Sequence, residues 1–127
     1  MDEFPPGSGA FARTLDARLA APAQITMSAA DAHLNGNGIV HGGVLMSLLD
    51  MAMASAVTQT LAPDERAASI QIQTSFLKAS KAGGLSAEGR VVRRARTLAF
   101  AEGEVRDAEG TVLARGNGIW AITPRPG

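Results

Sequence analysis

Apolar and polar residues change period along this chain, and the change divides it into a helix and a run of strands. Between residues 42 and 57, Leu45, Leu48, Leu49, Ala52 and Ala56 recur at the i, i+3, i+4, i+7 spacing of a helical stripe, and Met46, Met53 and Val57 make the neighbouring face apolar too. The pattern predicts a central helix over 42–57, apolar on nearly every side yet too short and interrupted to span a bilayer. From residue 69 the period drops to two. Ile70 and Ile72 alternate with Gln71 and Gln73, and Phe76 and Leu77 close a strand over 69–77. Further strands are expected over 85–94, 98–105 and 111–122, with Asp107-Ala108-Glu109-Gly110 as a turn and Gly116 and Gly118 marking a bulge or a close backbone contact. These late strands read as an antiparallel meander of four. Ahead of the helix, 10–19 and 23–29 are strand candidates separated at Pro22.

One long helix followed by antiparallel strands is an α+β pattern, in which the sheet wraps the helix to cover its broad apolar surface. With 127 residues, 46% of them hydrophobic, the chain can bury one core. We expect a single domain over residues 10–123, with flexible segments at 1–9, where Pro5-Pro6-Gly7 has little to pack against, and at 124–127.

Asp50 is the only ionisable side chain in the helix. Taking an ionised carboxylate out of water costs several kcal/mol, so a chain that keeps one pairs it or uses it. One reading is an Asp accepting hydrogen bonds from backbone or Ser47; the other is a base or nucleophile in a cleft. The preceding loop, Asn35-Gly36-Asn37-Gly38-Ile39-Val40-His41-Gly42-Gly43, favours the second. Its residues permit φ > 0 and close backbone approach, and it runs into a helix start whose N–H groups suit an oxyanion or a polarised carbonyl.

Composition narrows the field. Twelve basic and twelve acidic residues leave no net field for nucleic acid, and 4% aromatics supply no stacking platform. The N-terminus lacks a basic region followed by an apolar core, so neither a signal peptide nor a membrane partner is expected. The absence of cysteine excludes disulfides, thiol catalysis and Cys-ligated zinc, and fits a cytoplasmic protein. Asp31, His33 and His41 do not have a metal-ligand spacing, and Gly36-x-Gly38-x-x-His41 lacks the third glycine of a dinucleotide fingerprint. No metal and no cofactor are expected. Neither Ser47 nor Ser55 lies in a Gly-x-Ser-x-Gly elbow.

Asn35, the Gly38-x-x-His41-Gly42-Gly43 core and Asp50 together resemble the signature of hotdog-fold acyl-CoA thioesterases of the phenylacetate-pathway (PaaI-like) type. The likeness continues more loosely through 69–77 and the later strands. It implies a hotdog fold, an antiparallel sheet around one long central helix, and hydrolysis of a coenzyme A thioester carrying an aryl or medium-chain acyl group. Carried over residue by residue, it implies that the Gly42 N–H and Asn35 polarise the thioester carbonyl. Asp50 acts as general base toward water or as nucleophile through a mixed anhydride, and Ser69 orients the water or Asp50. His41 is expected to hold the loop through a backbone bond and, with Gly43, to shape the donor site. Met46, Met53 and Phe76 would wall the acyl group, with Val57 and Leu77 beside them. Arg93 and Arg94, with Lys78, Lys81 and Arg96, are candidates for the coenzyme A phosphates, or are plain solvated strand-end charges.

A non-catalytic acyl-CoA binding or sensing protein on the same fold is the alternative, and a lone carboxylate beside the thioester argues against it. Gly42 and Asp50 are eight residues apart, about 12 Å along a helix, which is too far for one chain to present both to one carbon. A homodimer that shares the site between its subunits is therefore the minimum expectation, and the resemblance implies the same interface site within a dimer or a tetramer of dimers.

Overall fold

In a computed structural model, which describes residues 3–126, the long central helix and the late strands form where the periodicity places them. The order is α1 (Gly9–Leu15), β1 (Arg18–Ala21), β2 (Gln24–Ala29), a 3₁₀ turn (Asp31–His33), α2 (Gly42–Thr58), β3 (Glu65–Phe76), β4 (Gly83–Arg94), β5 (Leu98–Asp107) and β6 (Val112–Pro124). The strands form one antiparallel sheet ordered β1-β2-β4-β5-β6-β3, with α2 packed across it. Leu48, Leu49, Ala52 and Met53 are fully buried, and Ala87, Ala99, Val105 and Trp120 belong to the same core. This is the α+β arrangement that the long apolar helix demands.

The sheet meets α2 across a row of glycines. Gly89 on β4 stands opposite Gly103 on β5, which in turn stands opposite Gly116 on β6. A Cβ on Gly89 would lie 2.4 Å from the Ala52 carbonyl oxygen, one on Gly103 3.3 Å from Met53 Cγ, and one on Gly116 3.2 Å from Leu49 Cδ1. The missing side chains form a trough in which the helix backbone approaches the sheet at Gly89 and the Met53 and Leu49 side chains find room at Gly103 and Gly116. Gly118 is tight for another reason: the Trp120 ring lies 2.7 Å from where its Cβ would be. The close contact expected at Gly116 and Gly118 is thus present, whereas the register shifts of this region fall at Ser69/Gln71, Val91/Arg93 and Val105/Arg106.

Three expectations need correcting. Residues 10–19 are not one strand: α1 occupies Gly9–Leu15, burying Ala12 and Leu15 on one edge, and Asp16 at φ 51° ends it before β1. The late strands are not a simple meander, since β3 pairs with β6 and not with β4. Alternation identifies a strand but carries no information about its partner. Finally, residues 3–9 do pack on the body. The Glu3 carbonyl accepts the Leu19 N–H at 2.6 Å, and the Phe4 ring lies 4.6 Å from the Arg13 guanidinium and 4.2 Å from that of Arg18. Pro5 is buried.

The glycine trough generates a test. Gly89→Ala is expected to destabilise the fold by about 1–3 kcal/mol or more, because the clash is with helix backbone that cannot rotate aside. Gly36→Ala, whose Cβ would meet nothing within 4 Å, is the control and should change stability by less than about 0.5 kcal/mol. Equal denaturation midpoints for the two variants would mean that α2 is not seated in the trough.

Candidate active site

The loop before α2 is held by its own polar groups, and what they leave over is informative. Asn35 Oδ1 accepts the Asn37 N–H at 2.9 Å and the Ile39 N–H at 3.3 Å, while Asn35 N–H donates to the Ile39 carbonyl. Two donors on that oxygen fix the orientation of the amide, and Nδ2 keeps both its hydrogens without a partner among the described residues. Gly38, at φ +74°, closes the turn by donating to the Asn35 carbonyl. Behind it, His33 Nδ1 accepts the Ala30 N–H at 2.9 Å and its carbonyl accepts the His41 N–H.

His41 is the N-cap of α2. Its Nδ1 accepts the Gly43 N–H at 2.8 Å and its carbonyl accepts the Val44 N–H at 2.9 Å. The Gly42 N–H, the first of the helix, is left without an acceptor among the described residues. It sits at the positive end of the helix dipole. The Gly43 N–H, by contrast, is committed to His41. Phe76 covers Gly42 with its ring 3.2 Å from the position of a Cβ there, and Asn35, Gly42, Phe76 and Lys78 line one cavity of about 310 Å³.

Asp50 lies elsewhere on the helix. It is half-buried, and desolvation raises its pKa above the ordinary carboxylate value. No described residue donates a hydrogen bond to it. Ser47, the partner that a structural role would call on, donates instead to the Gly43 carbonyl at 2.7 Å. Asp50 shares a cavity of about 240 Å³ with Ser69 and Trp120, and residues 5–8 complete the lining. Ser69 reaches it because it stands opposite Trp120 in the β3–β6 register, on the face of the sheet turned to the helix.

Other candidates fall outside both cavities. Met53 is fully buried beside Gly103 and belongs to the core, and Met46 is 41% exposed and lines neither cavity. Arg94 is not free for a phosphate: it pairs with Glu65 at 2.8 Å and bonds Thr60 and the carbonyls of Ala95 and Arg96. Its partner Glu65 has a carboxyl held below its ordinary range by the Ala62 N–H first and by Arg94 second. Arg93 is exposed on β4 opposite Phe100, away from both cavities. Two contributors went unrecognised in the sequence. Trp120, the chain's one tryptophan, walls the Asp50 cavity in the inward phase of β6, and residues 5–8 close it.

The Gly42 and Asp50 cavities have no lining residue in common. A free donor pair and a free carboxylate are therefore both present, but in separate halves. The Thioesterase superfamily profile matches residues 37–114, which take in the loop, α2 and most of the sheet. The chain belongs to that superfamily, and its fold is the hotdog form of α+β. A candidate esterase of Saccharolobus solfataricus is 34% identical over 86 residues, 67% of this chain and 60% of that protein, so the chain spans less than two thirds of that relative's length. A candidate thioesterase from Ralstonia eutropha JMP134, described as phenylacetic acid degradation-related, is similar in structure with a TM-score of 0.82 and 30% identity over 89% of each chain. The PaaI protein of the E. coli phenylacetic acid degradation operon gives a TM-score of 0.83 at 25% identity, over 94% of this chain and 86% of that one.

The raised pKa of Asp50 has a consequence for stability. The unfolded chain releases this proton at lower pH than the folded one, so between the two pKa values the folded state holds more protons. Stability falls as pH rises through that window and stays reduced above it. Asp50→Asn removes the penalty and is expected to raise Tm at neutral pH, the gain vanishing below about pH 3–4, where both states are protonated. A Tm lowered at pH 7 would mark Asp50 as a charge that holds the fold together.

Proposed function

We propose that this protein is an acyl-CoA thioesterase acting in the cytoplasm on an aryl or medium-chain acyl group, and that its active site is completed by a second copy of the chain. The observation that carries this is Asp50, a desolvated carboxylate with no partner among the described residues, set beside Ser69 in a cavity. A purely structural Asp would be bonded.

In this reading the Gly42 N–H and Asn35 Nδ2 donate to the thioester carbonyl oxygen, where negative charge develops in the transition state. As general base, Asp50 takes a proton from water while the resulting hydroxide bonds to the carbonyl carbon. The tetrahedral intermediate then expels the thiolate, which takes up the proton, leaving a carboxylic acid and free coenzyme A. As nucleophile, Asp50 would bond to that carbon and expel the coenzyme A thiolate, and water would then cleave the mixed anhydride, releasing the carboxylic acid, restoring the Asp50 carboxylate and giving its remaining proton to the thiolate. Ser69 orients the water or the carboxylate. Lys78, in the same cavity as Gly42, replaces Arg94 as the leading candidate for a coenzyme A phosphate.

The edge of the sheet supports the assembly. Among the described residues β3, 12 residues long, pairs only with β6, which leaves its other side open, with Ile70 60% and Phe76 54% exposed. A long open edge is a template for another strand. Ser69 lies toward the Asp50 cavity on β3 and Phe76 at the Gly42 end, about 23 Å apart by strand rise. Antiparallel pairing of two β3 strands about a two-fold axis near Ile72 and Gln73 would set Asp50 of one protomer toward Gly42 of the partner subunit, in a dimer or a tetramer of dimers.

Asp50→Asn is expected to lower hydrolysis of an active acyl-CoA by about 10² to 10⁴, read as release of free thiol, with the fold retained. Wild-type protein that binds acyl-CoA without releasing thiol would favour the non-catalytic binding or sensing alternative. Because the halves are assigned to different protomers, inactive Asn35→Ala and Asp50→Asn proteins, mixed and allowed to exchange subunits, should recover activity from hybrid dimers holding one intact site. Absence of recovery in hybrids verified by mass would place the whole site on one chain.

A further inference from the structure

Residues 5–8, which the sequence presents as an end with little to pack, form a built structure. The Ser8 N–H donates to the Pro5 carbonyl at 3.2 Å, with Pro6 and Gly7 at the central positions and Gly7 at φ +81°. That is a type II turn with the residues its geometry favours, proline at the second position and glycine at the third. The Ser8 hydroxyl bonds the same carbonyl. Two prolines leave the segment little freedom to lose on ordering. It is anchored immediately upstream, where Glu3 is bridged to Leu19 and the Phe4 ring lies against Arg13 and Arg18, and downstream by α1.

The turn occupies a telling place. The cavity holding Asp50 runs along one face of α2 as far as Thr58, about 12 Å by helical rise, with Ser69 and Trp120 on the sheet side. Pro5, Pro6, Gly7 and Ser8 supply the remaining side. At about 240 Å³ this open-sided cavity is below the roughly 300–1,000 Å³ typical of pockets for drug-sized ligands. Resting on the thioesterase reading above, we infer that the Pro5–Ser8 turn is the end wall of the acyl pocket and the determinant of acyl length, restricting this protein to compact acyl groups. A chain much longer than an arylacetyl or short alkanoyl group would have to displace it.

The test compares the wild type with a variant lacking residues 2–8 and with Phe4→Ala, which loses the anchor and keeps the turn sequence. The readout is the ratio of kcat/KM for dodecanoyl-CoA to that for phenylacetyl-CoA, in which differences in the folded fraction cancel. Opening the wall should raise this ratio by about tenfold or more, the scale of discrimination one apolar pocket contact provides. In parallel, acrylamide quenching of Trp120, the single tryptophan and only 2% exposed, should increase in both variants. An unchanged ratio with increased quenching would overturn the assignment of specificity, and unchanged quenching would overturn the wall itself. If the wild type hydrolyses no acyl-CoA, the thioesterase reading fails by itself. The wall is then judged by Trp120 fluorescence titrations with phenylacetate and dodecanoate, where gain of dodecanoate binding in the variants supports it and no gain overturns it.

Discussion

A helix can approach a sheet to backbone distance only where the strands carry no side chains, and Gly89, Gly103 and Gly116 stand opposite one another across β4, β5 and β6. Everything else in the molecule is placed relative to that trough. It sets the depth of α2, so that Leu48, Leu49 and Met53 are fully buried, each side chain contributing about 1.5–3 kcal/mol of hydrophobic stabilisation. The same depth puts Asp50 level with Ser69 and Trp120 on the β3 side of the helix, dry enough to raise its pKa and open enough to face a cavity. A shallower helix would leave that carboxylate in water, where its proton affinity would be ordinary.

The polar groups around the helix divide into those already used and those left over, and the division follows from local geometry. His41 uses both its imidazole and its carbonyl on the first turn, and Asn35 uses its oxygen on the loop. Their remaining counterparts, the Gly42 N–H and Asn35 Nδ2, are the donors that no described group claims. Arg94 shows the opposite case. Its charge looks available in the sequence but is fully engaged in tying β4 to Glu65 and Thr60.

The parts legible in the sequence are those decided by neighbours along the chain. The helix expected over 42–57 is observed as Gly42–Thr58, and the backbone bond foreseen for His41 spans two residues. The parts that were not legible depend on distant partners. Because α2 is apolar all round, its pattern could not say which face meets the sheet, and so Met53 looked like a pocket residue though it packs against Gly103. Arg94 meets a carboxylate 29 residues away, and Phe4 finds its place only between Arg13 and Arg18. The pairing of β3 with β6 is of the same kind: period two told where the strands are and nothing of their order.

That strand order also dictates a sequence of events during synthesis. β4, β5 and β6 can add to one another as hairpins, each as soon as the next emerges, but β3 is made first among them and its partner is made last. Until residues 112–124 leave the ribosome, β3 has neither edge satisfied, and closing it spans a loop of several dozen residues, a slow step by contact order. The alternation of Gln71 and Gln73 with Ile72 keeps one face of that waiting strand polar. The nascent chain is thus most exposed to mispairing at the strand that the finished protein leaves at its edge.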